Sequence, residues 1–426
     1  MKVLFLSQSS RGFASLRSRH IRSFLQMQPN VISHELPLTE KSISDAKTHA
    51  QLYALSTHCD AIVTAGPFLP ALIIPYLNTK TPLWMDWPSD PLADGFAKSS
   101  TQTPTNWTEI HNATHLALAR ADAFGVISQR SKDALIGELM LLGRADATLY
   151  SQCIHVTPIV YDFPEPQNSP SLQKNRVPID SFDILLCGSI NTWFDVQNLC
   201  DGLKIFLEQK KSPVHVHIVG AKEFCSYTSE GFQYIQHWKH RLPQIYQNQI
   251  HSYEWLENED FNDILQKCQV GVWMDKEGVE PYLGSRTRAL FYAWNGLDII
   301  GGGNCELSQD LIEHDDMYAA SSAKELATTL LHVSKHPLSS EQNQKRHVRL
   351  QTTYGLETVF RPLGSWLMKP TSQKQAIHVM SAQSQIAKLQ QELHDIYSSP
   401  TWKIMSSIHQ KLRLITNTFT KHKIQK

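Results

Sequence analysis

Residues 182–189 read FDILLCGS, a short and mostly apolar run that ends in Gly188 and Ser189. The stretch before it, 161–181, reads YDFPEPQNSPSLQKNRVPIDS. That segment is polar, carries four prolines and has no periodicity, so it suits a linker. After it, 196–209 has helical spacing. A strand, a glycine turn and a helix therefore restart directly after a linker, and the chain divides there.

Working outward, the same alternation fills both halves. Upstream, 2–7, 60–66, 82–88, 123–128 and 155–160 read as strands, and 16–28, 106–120 and 131–142 as helices. Downstream, 214–220, 270–275 and 297–302 are strand-like, while 261–267, 286–294 and 323–333 are helical. Such alternation implies parallel sheets with helices on both faces. The expected fold class is α/β: two doubly wound, Rossmann-like domains facing a central cleft. The first covers 1–160, the second 182–369, and a helical tail covers 370–426. Ligands in such sheets sit at the carboxyl ends of the strands.

Bulk properties agree with this division. A chain of 426 residues is long for one core and suits two. Its 41% hydrophobic content can build both and excludes a wholly disordered chain. Lys+Arg and Asp+Glu both number 40, so nothing in the overall charge points to nucleic acid. The seven cysteines are scattered without a C-x-x-C, which fits a reducing cytoplasm. The opening MKVLFLSQSSR reads as a first strand rather than a signal peptide. No segment approaches the roughly 18 apolar residues that span a bilayer.

The tail has its own pattern. Val379, Ala382, Ile386, Leu389, Leu393 and Ile396 recur at three- and four-residue steps, a seam suited to self-association through 379–396. A second seam runs through Met405, Ile408, Leu412, Ile415 and Phe419, headed by Trp402. No acidic residue follows Asp395, and several lysines do. A basic amphipathic helix of this kind can lie on an anionic membrane surface, at ~1 kcal/mol per basic residue. It can equally pack on the protein or on a partner.

One stretch concentrates candidate chemistry. VEPYLGSRTRALFYAWNGLDII, 279–300, puts Gly284, Ser285, Arg286 and Arg288 at the entrance of a helix. A helix start leaves amide N–H groups unpaired and carries partial positive charge, so a phosphate is its natural ligand. Arginine adds a planar fork for two phosphate oxygens. The alternative is that both arginines are solvated or paired with Glu277 and Glu280. His111 and His115 share a helix face without the glutamate of a metalloprotease motif. His215 and His217 share a strand face and read as packing. The run GGGN, 301–304, is a loop with free amides that matches no G-x-G-x-x-G fingerprint.

These pieces resemble the donor site of GT-B glycosyltransferases, and most of all bacterial family-4-type enzymes of surface polysaccharide assembly. CGSINTWFDVQNL (187–199) resembles the strand–glycine–loop that opens their donor domain. LGSRTRALFYAWNGL (283–297) resembles their donor helix. MDWPSDP (85–91) resembles the acidic loop of their acceptor domain. Two glutamates of the family pattern are replaced by Leu283 and Phe291.

The resemblance implies a retaining transfer from a nucleotide-diphosphate sugar to a glycan or lipid-linked acceptor, with no cofactor and no metal. Amides and arginines would stabilise the leaving diphosphate. Gly188, Ser189, Asn191, Gly284, Ser285, Arg286 and Arg288 would bind the donor. Glu280 would hold donor-sugar hydroxyls, with Arg286 at the reacting centre. Asp86 or Asp90 would contact or deprotonate the acceptor, beside Arg11 and Gly12. Asp90 in PSDP also suits a turn or helix cap. Two rivals share the architecture: a nucleotide-sugar epimerase, and a transferase-like scaffold without catalysis.

Overall fold

The apolar runs become two parallel sheets. In the computed structural model, residues 1–8, 13–99, 105–144, 152–163, 181–210, 212–220, 229–254, 256, 258–372 and 399 are described. The first sheet contains β1 (Lys2–Gln8), β2 (Ile32–Leu38), β3 (Ala61–Thr64), β4 (Leu83–Trp87), β5 (Ala123–Val126) and β6 (Ile154–Val156). Their order is β2-β1-β3-β4-β5-β6, and every pairing is parallel. Central strands β3, β4 and β5 are buried along their whole length, as a sheet covered on both faces requires.

The second sheet contains β7 (Phe182–Cys187), β8 (Val214–Val219), β9 (Ile250–Tyr253), β10 (Val270–Val272), β11 (Asp298–Gly301) and β12 (Tyr318–Ala319). It is also parallel, in the order β12-β11-β10-β7-β8-β9. Counted within this lobe the order is 3-2-1-4-5-6, the doubly wound nucleotide-binding arrangement, with its reversal between β7 and β10. The expected α/β class with two Rossmann-like lobes is the observed one.

The last helix among the described residues crosses between lobes. Leu356–Met368 buries Val359, Phe360, Leu363, Trp366 and Leu367. They pack with Val3, Phe5, Ile21 and Phe24 of the first lobe, not with the second lobe to which its place in the sequence assigns it. At about 1.5–3 kcal/mol per buried large apolar side chain, this helix ties the end of the second lobe to the core of the first. The helical tail expected beyond it, including the 379–396 seam, lies outside the described residues apart from its first residues and Ser399. Most of the linker, 164–180, does too.

Candidate functional site

The chain leaves β7 toward β8 on one side and returns to β10 on the other. The loops after β7 and β10 therefore diverge and leave a crevice. Direct pairing between these strands covers only Val270↔Ile184 and Gly271↔Leu185. Beyond it the Tyr292 hydroxyl bridges the gap, accepting from the Cys187 amide (3.1 Å) and donating to the Val272 carbonyl (3.4 Å). Gly188 then turns the chain out of the sheet at φ +89°, a conformation glycine adopts without steric penalty.

Arg288 faces this turn from the helix Thr287–Trp294. Its Nη2 donates to the Ser189 carbonyl at 3.0 Å. Its guanidinium lies 4.2 Å from the centre of the Phe194 ring. Its Nη1 is buried and has no acceptor among the described residues. Burial lowers the Arg288 pKa, but a guanidinium stays protonated in proteins. A buried cationic donor without an acceptor is unusual in a folded protein, where buried polar groups are paired.

Arg286 is different, and the expectation of two free guanidinium forks is corrected here. Its Nε donates to both oxygens of Asp275, each at 3.0 Å. Its Nη2 and Nη1 donate to Glu280 at 3.0 and 3.3 Å. The side chain is 4% exposed, against 1% for Asp275 and 13% for Glu280. All three nitrogens are engaged, and the triad of two carboxylates and one guanidinium carries a net negative charge when ionised. Burial pushes the Glu280 carboxyl upward against the pull of Arg286. Gly284 makes the arrangement possible: a Cβ there would sit 2.6 Å from Glu280 Oε1.

The remaining expected donor residues contribute backbone. Ser285 offers its carbonyl to Arg286 Nη1, and Asn191 offers its carbonyl to the Phe194 amide. Phe291, where the family pattern has a glutamate, stacks on Phe261 with ring centres 5.9 Å apart. Asp275 is the residue sequence reasoning missed. Its signal was present, as the acidic end of the strand-like run VGVWMD.

On the first lobe the expectation for Asp86 changes, while for Asp90 the helix cap read from PSDP is the one observed. Asp86, at the end of β4, is fully buried, and Arg17 binds both its oxygens at 2.8–3.1 Å. Arg17, 1% exposed, also reaches the carbonyls of Thr157 and Pro158. A carboxylate sealed this way organises the lobe and cannot reach an acceptor. Asp90 caps the helix Pro91–Ser99, accepting from the amides of Leu92 (2.8 Å) and Ala93 (3.1 Å) through one oxygen. Arg11 and Gly12 lie outside the described residues.

The lobes meet beside this site. Leu283, the other family-glutamate position, gives its carbonyl to Ser131 Oγ at 2.8 Å. Glu306 of the second lobe caps the helix Gln129–Leu141, accepting from the Gln129 and Arg130 amides. Arg130 reaches back to the Asn304 carbonyl and to Gln309, both at 2.6 Å, over the Tyr282 ring. The GGGN loop therefore ends on the opposite lobe. His217 pairs with Asp183 and His215 with His251 within the second sheet, and His111 packs against Trp107.

No family model and no curated protein matches this sequence. Solved structures do match its shape. HepE of Anabaena in complex with UDP aligns with TM-score 0.60 and 15% identity, over 86% of this chain and 100% of that chain. Sucrose-phosphate synthase of Thermosynechococcus elongatus aligns with TM-score 0.58 and 14% identity, over 86% and 98%. A trehalose-6-phosphate structure from E. coli, bound with UDP-2-fluoro glucose, aligns with TM-score 0.60 and 10% identity, over 88% and 100%. The fold is GT-B.

Proposed function

We propose that this chain is a glycosyltransferase moving a sugar from a nucleotide-diphosphate donor to a hydroxyl acceptor. The observation that carries the reading is the buried, unpartnered Nη1 of Arg288 at the switch point of the second sheet. UDP and UDP-2-fluoro glucose in the solved structures of the same shape support a uridine diphosphate donor.

Chemically, a glycosyl group leaves as negative charge gathers on the departing diphosphate. Arg288 and the first amides of the helix Thr287–Trp294 are fixed before reaction, so they stabilise that charge without reorganising. Asp275 and Glu280 fix Arg286, and Arg286 in turn fixes Glu280. A carboxylate has about four acceptor sites; Arg286 occupies two on Glu280, which leaves acceptors for hydroxyls of the donor sugar. No side chain of the first lobe serves as acceptor base in this scheme, and that is compatible with retention.

A role in building a bacterial surface polysaccharide, with the basic tail holding the chain on the inner face of the membrane, extends this proposal. A scaffold without catalysis is the second reading, favoured by Phe291 in place of a carboxylate. A thermal-shift screen against nucleotide sugars separates the two, since a ligand that binds only the folded state raises its melting temperature. A stabilising nucleotide sugar, with turnover in the presence of a hydroxyl acceptor, supports the transferase. Absence of any shift favours the scaffold.

A further inference from the structure

The helix Thr287–Trp294 sets an order on anything bound along it. Glu280 lies at its start, paired with the N-cap residue Arg286. Arg288 stands in the first turn. Phe291, three residues on, neighbours it on the helix surface about 4.5 Å further along the axis. When the donor sugar meets Glu280 and the diphosphate meets Arg288, the pentose on the other phosphate comes to Phe291.

The surroundings of Phe291 are aromatic. Phe261 lies parallel to it, with ring centres 5.9 Å apart and 15° between the planes. Phe163, from the segment after β6, stands edge-on to Phe291 at 5.6 Å and lies 6.1 Å from Trp294. Phe163 is buried, whereas Phe261 and Phe291 are half-buried, so part of each ring stays open to a ligand. The polar groups next to these rings have other partners. The Tyr292 hydroxyl bridges Cys187 and Val272. The Asn295 side-chain amide donates to the Phe291 carbonyl at 2.8 Å. His347, against Trp294, bonds the Tyr161 hydroxyl through Nδ1 at 3.0 Å. A site built to bond a hydroxyl rejects an analogue that lacks it, because its own polar groups are then left unpaired. A phenyl ring loses nothing when that hydroxyl is missing.

Resting on the transferase reading above, we propose that Phe291 leaves the 2′-hydroxyl of the donor pentose without a partner, so that the chain takes 2′-deoxyribonucleoside diphosphate sugars as readily as ribonucleoside ones. Phe291 is then a specificity-determining residue of the donor site, and its ring bears on which donor binds.

The test titrates the full chain with UDP against 2′-deoxy-UDP, and with GDP against 2′-deoxy-GDP, by isothermal calorimetry. Each pair differs by one hydroxyl. For the pair that binds, the two dissociation constants are expected to agree within about threefold, far below the discrimination of a site that bonds the hydroxyl. Phe291→Glu, measured at a temperature where it is folded, is expected to favour the ribonucleotide about tenfold or more, the gain of a hydrogen bond to a charged group. A wild type that favours the ribonucleotide by more than about threefold overturns the inference and leaves the transferase reading standing. Parity in the wild type joined to parity in Phe291→Glu overturns the placing of the pentose at Phe291. If Phe291→Glu does not fold, the wild-type ratio decides by itself. A wild type that binds none of these nucleotides overturns the inference through failure of the transferase reading.

Discussion

Replacing Arg286 with alanine should damage the fold before it damages nucleotide binding. Arg286 is the only cation that Asp275 and Glu280 pair with among the described residues, and the three side chains are 4%, 1% and 13% exposed. Removing it leaves two largely buried carboxylates without their cation. Breaking a buried pair from one side costs about 3–5 kcal/mol. For a lobe of this size each kcal/mol moves the melting temperature by about 2–4 °C, so the expected fall is about 6–20 °C. Lysine should not rescue, since one ammonium cannot form the two-sided fork. The triple variant Asp275→Asn/Glu280→Gln/Arg286→Met should recover much of the loss, because a neutral cluster has no stranded charge.

The deficit should also shrink in acid. Burial raises the folded-state pKa of Glu280 above its unfolded value. The folded chain therefore binds the proton more readily, and the stability this contributes is lost as pH rises through the raised pKa. Removing Arg286 takes away the charge that opposes this, so protonation should relieve the variant progressively below neutral pH. Differential scanning calorimetry of the variants between pH 5 and 8 reads all of this. An Arg286→Ala protein that melts like the wild type yet binds no nucleotide would refute the reasoning and return the phosphate role to Arg286.

Other outcomes follow from the same contacts. Asp86→Ala should destabilise the first lobe by about 3–5 kcal/mol in urea, because Arg17 would lose its only carboxylate contact among the described residues; a stable variant defective solely in acceptor use would contradict the assignment. For Glu138 the folded-state pKa is raised from 4.5 to about 8, so stability should decline across that window as pH rises, by at most about 1.4 kcal/mol per unit. Glu138→Gln should flatten the decline in pH-dependent melting curves. Arg130→Ala removes three hydrogen bonds, an ion pair with Glu306 and a ring contact between lobes. It should raise amide exchange at the start of the helix Gln129–Leu141, and an unchanged exchange pattern would argue against this latch.

The sequence carried the central strands and lost three of the four edges. The apolar runs at 2–7, 82–88 and 182–189 became β1, β4 and β7 almost residue for residue, because strands buried on both faces must be apolar throughout. The strands β2, β9 and β12 were not foreseen, and all three are edges of their sheets. ISHELPL in β2 is largely exposed, so no hydrophobic run announces it. The helices 196–209 and 323–333 were read to the residue, helped by Asp195 and Ser322, whose side chains cap them.

The candidate site was half legible. Gly188 and the helix after Gly284 were found because a turn and a helix start are local features. Arg286 and Arg288 look alike in sequence, and what separates them is spatial. Asp275, eleven residues before Arg286, claims that guanidinium, whereas Arg288 lies over Phe194 with one nitrogen left open. The burial of Asp86 was illegible for the same reason, since Arg17 comes from a helix on the far side of two strands.

The central claim is that Arg288 supplies the open cationic donor for a diphosphate. Isothermal titration of UDP and GDP into the wild type and Arg288→Ala tests it most directly. At least one nucleotide should bind the wild type, and the variant should bind it about ten- to hundredfold more weakly, the loss of one hydrogen bond to a charged group, at a temperature where the variant is still folded. A wild type that binds neither nucleotide, or a variant that binds as well as the wild type, would contradict the account.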